Sequence, residues 1–130
     1  MNKQFPFKLT AIIITLVAAT TAVWRTCADE EKDEPIKHVM STFHKAPKGV
    51  DPICKKASEG KASADELKKL VAAYKTLTKA TPPKGEQASW TEKTGKLLAA
   101  AESLQKGEAD GINKYKEAVN CKACHSVHKP

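Results

Sequence analysis

Close to its C-terminus the chain carries Cys121-Lys122-Ala123-Cys124-His125, and this C-x-x-C-H pattern constrains the fold more than any other stretch. On a helix, residues three and four apart share a face. Cys121 and Cys124 therefore project together, so that each thiol can add to a vinyl group of one haem c. His125 stands four residues after Cys121 on that face, where its imidazole can bind the iron as proximal ligand. The same tail also offers four zinc-ligand types, Cys121, Cys124, His125 and His128. Zinc sites usually draw their ligand pairs from separate segments, whereas these four crowd into one short tail. The spacing favours covalent haem.

The opposite end reads as a targeting segment. Lys3 and Lys8 form a positive start, Leu9 to Trp24 is an uncharged and mostly apolar run, and Thr26-Cys27-Ala28 offers small residues for cleavage before Asp29. The expected division is residues 1–28 as signal peptide and residues 29–130 as one domain. The apolar run is short against the ~20 residues of a spanning helix. An uncleaved anchor is the alternative, and a lipoprotein anchored through Cys27 is disfavoured by the bulky Trp24 and charged Arg25 before it. Export to a periplasm follows from this reading.

Losing Lys3, Lys8 and Arg25 with that segment leaves 19 of the 22 basic residues against 15 acids, a net charge of +4 and no arginine. The absence of arginine argues against bidentate phosphate recognition, and no nucleic-acid partner is expected. The lysines are interleaved with acids, as on an ordinary solvated surface, and docking onto an acidic redox partner is a possible addition. In an oxidising compartment paired cysteines become disulfides. With Cys121 and Cys124 committed to haem, Cys54 is the one thiol left, read as a half-buried packing residue, with an intermolecular disulfide as the alternative.

Between these ends the pattern is helical throughout. Asp29 to Glu34 reads as an acidic, solvated lead-in, and Pro35 suits the first turn of a helix whose apolar face is Ile36, Val39, Met40 and Phe43. Ala46-Pro47-Lys48-Gly49 ends it. Val50 to Glu59 reads as a loop with a helical turn around Ile53 and Cys54. Ser63-Ala64-Asp65-Glu66 is a capping box opening a second helix, with Leu67, Leu70, Val71, Tyr74 and Leu77 on one face. Thr81-Pro82-Pro83-Lys84-Gly85 stops it. Ser89-Trp90-Thr91-Glu92 reads as a second capping box, opening a helix that buries Trp90, Leu97, Ala101 and Leu104 with help from Thr94 and Leu98. Gly95 there suggests a close helix contact, and Gly107 a C-terminal stop. Asp110 caps a last helix in which Ile112, Tyr115, Ala118 and Val119 lead into Cys121. Four helices and mostly short connections predict an all-α fold, an antiparallel four-helix bundle. Aromatic residues are only 5% of the chain, so a buried haem would supply bulk that the peptide lacks, and the apoprotein is expected to be poorly folded.

A signal peptide, four helices and a haem motif near the C-terminus together resemble a class II c-type cytochrome, the cytochrome c prime family. The resemblance covers about residues 33 to 129, and Cys121-Lys122-Ala123-Cys124-His125 is its one highly specific element. Ile36-Lys37-His38-Val39-Met40 is similar to the first helix of low-spin members, which implies Met40 as sixth iron ligand. High-spin members leave that position open. The family often has an arginine near the haem motif; here a lysine such as Lys114, Lys116 or Lys122, or water, must meet the haem propionates. Members are often antiparallel dimers, so a homodimer is possible.

Met40 shares the inward face of Ile36 and Phe43, and His44, four residues on, is the reserve ligand. His38 falls on the opposite face, and His128 is expected at the surface. The expected function is that of an exported monohaem electron carrier, with haem on Cys121 and Cys124 and axial ligands His125 and Met40. The alternative is a five-coordinate protein that binds nitric oxide or carbon monoxide. No constellation of catalytic groups is visible, and no enzyme is expected.

Overall fold

The computed structural model describes residues 24–130, with side chains from residue 34 onward. The described residues are all-helical, in six elements: α1 (Trp24–Phe43), α2 (Ile53–Ser58), α3 (Ala64–Lys79), α4 (Gln87–Gln105), α5 (Gly111–Ala118) and α6 (Cys121–His128). The apolar run Leu9 to Trp24 lies almost wholly outside them. The expected boundary between Ala28 and Asp29 falls within α1. Among the described residues no helix is long and apolar enough to cross a membrane.

α3 and α4 form the central pair. α1 packs on α3, α5 on α4, and α2 bridges α3 and α5, while α6 touches α4. The core runs through Val39 and Phe43 of α1, Leu70, Tyr74 and Leu77 of α3, Trp90 and Ala101 of α4, and Tyr115 of α5. At about 25 cal/mol per Å², burial of such side chains is the main favourable term.

The start of α3 follows its sequence closely. The Ser63 hydroxyl accepts the Glu66 N–H at 3.2 Å, and the Glu66 carboxylate accepts the Ser63 N–H at 2.8 Å. Lys56 of α2 adds an ion pair to the same carboxylate at 2.9 Å, which ties α2 to the end of α3. At the far end of α3, the carbonyl of Leu77 accepts both the Ala80 N–H and the indole N–H of Trp90, at 3.1 and 2.8 Å. A helix C-terminus leaves carbonyls without partners, and here an α4 side chain satisfies one while filling the core.

Four expectations change. α1 begins at Trp24, so Pro35 is inside a helix and the acidic run is helical. Its Glu and Lys residues are good helix formers, and the proline's cost, one lost N–H and crowding of the carbonyl four residues back, is local to a helix continued on both sides. α4 begins at Gln87, with Glu86 at its N-cap and no side-chain cap, because the Ser89 hydroxyl points to His128. Space for a side chain is open at Gly95, so no close contact needs it. The close approach is at Gly111, where a Cβ would stand 2.9 Å from the Leu104 Cα. The last helix is also two helices. Its chain turns at Val119-Asn120, and the Asn120 side chain caps α6 by accepting the Ala123 N–H at 3.0 Å. The short helical turn at Ile53 stands as expected, and Cys54, expected to be half-buried, is buried.

Candidate functional site

The turn at Asn120 decides where the motif points. It makes Cys121 the first residue of α6, so Cys124 and His125 follow one turn later on the same face. That face borders a cavity of about 360 Å³ between α6, α4 and the end of α1. Cys121, Cys124 and His125 all line it, and so does Met40 from the opposite element. The four residues expected to hold a haem thus meet at one cavity, although 81 residues separate Met40 from Cys121 in the chain.

The walls are mainly apolar: Leu77, Trp90 and Leu97 with Ala118, Val119 and Ala123. Met40 and Cys124 are half-buried and pack against the core, while Cys121 and His125 are exposed to the cavity side. Burial pushes the Cys124 thiol up, and the nearby Lys93 charge partly offsets it. Burial likewise raises the Cys54 thiol, with Cys121 close enough to add to the effect.

The cations beside the cavity are not those expected. Lys114, Lys116 and Lys122 do not line it; Lys45, Lys93 and Lys96 do, with Glu92 and Glu117. Lys96 pairs with Glu92 at 2.6 Å. Among the described residues neither Lys45 nor Lys93 has a carboxylate within ion-pair distance. The helical period explains the substitution: α4 crosses the cavity, and Lys93 and Lys96 stand one turn apart beside Trp90 and Leu97.

His44 is the site residue to which the sequence assigned least. Its imidazole lines the cavity, and its Nε2 lies 3.2 Å from the Tyr74 hydroxyl, which in turn bonds the Tyr115 hydroxyl at 2.6 Å. Burial, followed by the charge of His125, lowers the His44 pKa to about 4. Burial also pushes both tyrosines well above their ordinary range, so both keep their protons. His38, by contrast, is exposed as expected.

His128 is buried, not at the surface. Its Nδ1–H donates to the Lys84 carbonyl at 2.9 Å, its Nε2 meets the Ser89 hydroxyl at 3.3 Å, and its ring stands edge-on to Trp90 at 5.3 Å. Both ring nitrogens are engaged, and His128 does not line the cavity. The four zinc-ligand types of the tail are therefore not brought together. α6 is instead anchored by His128 at its end, with the motif held at its start.

The chain matches no protein-family model, no curated protein and no solved structure at a significant level.

Proposed function

We propose that the chain is an exported, monohaem c-type cytochrome acting as an electron carrier, with an antiparallel four-helix bundle of the class II, cytochrome c prime kind. The observation that carries this reading is the convergence of Met40, Cys121, Cys124 and His125 on one apolar cavity. Its volume lies within the ~300–1,000 Å³ usual for cofactor sites. The donor set fits the group: two thiols for covalent attachment, an imidazole and a thioether for the iron. When bound, the haem would supply a one-electron couple.

The chain's own residues would do the rest. Cys121 and Cys124 would fix the group to α6, and His125 would hold it from the same helix. Met40 would offer its sulfur from α1, and a thioether raises the reduction potential relative to a second nitrogen. Trp90, Leu77 and Leu97 would exclude water from one face. Lys45 and Lys93 would meet the propionates, the role for which this family often uses arginine. The lysine-bearing rim also suits a redox partner of acidic surface. The periplasm is the compartment that fits the N-terminal segment.

The test is the visible spectrum of the purified protein, oxidised and reduced, followed by extraction in acidified organic solvent. The pigment should stay with the polypeptide, and Cys121→Ala with Cys124→Ala should abolish its retention. Pigment that extracts freely, or stoichiometric zinc in place of haem, would remove the proposal.

A further inference from the structure

We infer that the buried Tyr74–Tyr115 hydroxyl pair holds the imidazole of His44 away from the iron, so that Tyr74 decides whether sulfur or a second nitrogen reaches the sixth position. This rests on the haem reading of the cavity. Met40 and His44 are one turn apart; the His44 N–H donates to the Met40 carbonyl at 3.2 Å, and both side chains line the cavity. By position alone, two ligand types compete for one site.

Charge does not exclude the histidine. The neutral imidazole is a common metal ligand. Restraint comes from geometry. Nε2 faces the Tyr74 hydroxyl at 3.2 Å, and the two rings lie 5.7 Å apart between centroids. The other nitrogen, Nδ1, adjoins the Cβ stem, which crowds a porphyrin plane, so capture of iron requires Nε2 to leave Tyr74.

That departure has a cost set by burial. Tyr74 and Tyr115 are both 0% exposed, and their hydroxyls are 2.6 Å apart. Water does not reach Tyr74 to replace the lost partner, and a buried hydroxyl deprived of a hydrogen bond is penalised. Tyr115 braces the arrangement from α5, and Tyr74 is stacked on it at 19°. The pair thus acts as a positioning device. Tyr74 does not line the cavity and works through His44.

The experiment compares wild type, Tyr74→Phe, Met40→Leu and Met40→Leu/Tyr74→Phe as haem-loaded proteins, by absorption and electron paramagnetic resonance spectra and carbon monoxide titration. With Tyr74 present, Met40→Leu should be high-spin and bind carbon monoxide, since His44 stays held. The double variant should become low-spin with a two-nitrogen signature, and its carbon monoxide affinity should fall at least about tenfold. Adding His44→Ala should restore the affinity, which a merely structural role of Tyr74 would not predict. Tyr115→Phe in the Met40→Leu background keeps the Tyr74 hydroxyl but removes its brace, and should give an intermediate affinity if the Tyr74 variant does not fold. A Met40→Leu protein that already shows two-nitrogen ligation overturns the inference. So does a double variant that binds carbon monoxide as tightly as Met40→Leu. A wild type without covalent haem removes the haem reading instead, which separates the two failures.

Discussion

The Nδ1–H of His128 donates to the Lys84 carbonyl at 2.9 Å, across 44 residues of chain. This bond closes the loop before α4 against the helix that carries the motif. Gly85, next in the chain, has φ +80°, and a Cβ there would stand 2.9 Å from His128 Nδ1. Alanine at 85 would meet both a disfavoured backbone and an occupied space.

Gly85→Ala should therefore destabilise the protein, by about 1–3 kcal/mol on the usual cost of strained positions. His128→Ala removes a buried ring from Trp90 and should cost about 2–4 kcal/mol. Both are read from denaturant midpoints at unchanged slope. Midpoints equal to wild type would show that these contacts do not hold α6.

Met40→Leu keeps the volume of the side chain nearly constant, and its packing cost should stay below about 1.5 kcal/mol. The wild type should be low-spin in both oxidation states and resist carbon monoxide. The variant should turn high-spin, bind carbon monoxide or nitric oxide, and have a lower reduction potential, as loss of the thioether implies. A wild type already high-spin and reactive with carbon monoxide would favour the five-coordinate gas-binding alternative, with Met40 only lining the pocket.

Several of these relationships were legible in the sequence and others were not, for reasons that are local. The capping box of α3 is read correctly because Ser63 and Glu66 satisfy each other's backbone N–H locally, and the Lys56 ion pair adds to Glu66 without displacing either bond. Ser89-Trp90-Thr91-Glu92 has the same pattern, yet the Ser89 hydroxyl is taken by a histidine 39 residues away. The break after α5 has a visible signal in Asn120, a strong N-cap type, which apolar periodicity through Val119 and Cys121 conceals. The inward position of Met40 follows from helical period. The rim lysines do not, because which lysines reach a cavity depends on how α4 crosses α6. The Tyr74–Tyr115 bond has no signal in the pattern of either helix, where a tyrosine on an apolar face reads as bulk.

Acid should weaken the fold through His44. Its pKa is lowered from 6.5 to about 4, so between these values the unfolded chain binds a proton that the native state refuses. Stability therefore rises with pH across that window, is fully present above about 6.5, and is lost as pH falls toward 4. At 1.36 kcal/mol per unit the contribution is roughly 3 kcal/mol at most. Burial is the larger cause, and it does not depend on the charge of His125. His44→Gln should flatten the dependence of the denaturant midpoint between pH 6.5 and 4. An unchanged slope would assign the acid sensitivity to other groups.

The last expectation concerns the cavity mouth. Lys45 and Lys93 stand there without a carboxylate partner among the described residues, and Lys96 is shared with Glu92. Exposed charges are screened beyond ~10 Å at 0.1 M salt. Electron transfer with an anionic reagent, hexacyanoferrate, should slow as salt rises, because attraction to these lysines raises the encounter rate. A cationic cobalt complex should show the reverse dependence. Lys93→Glu should slow the anionic reaction and steepen neither, whereas Lys114→Glu, away from the cavity, should change both rates less. The partner in the cell would then be expected to present an acidic face to this mouth. Rates with hexacyanoferrate that ignore both ionic strength and Lys93→Glu would place electron entry elsewhere on the surface, beyond the influence of these lysines.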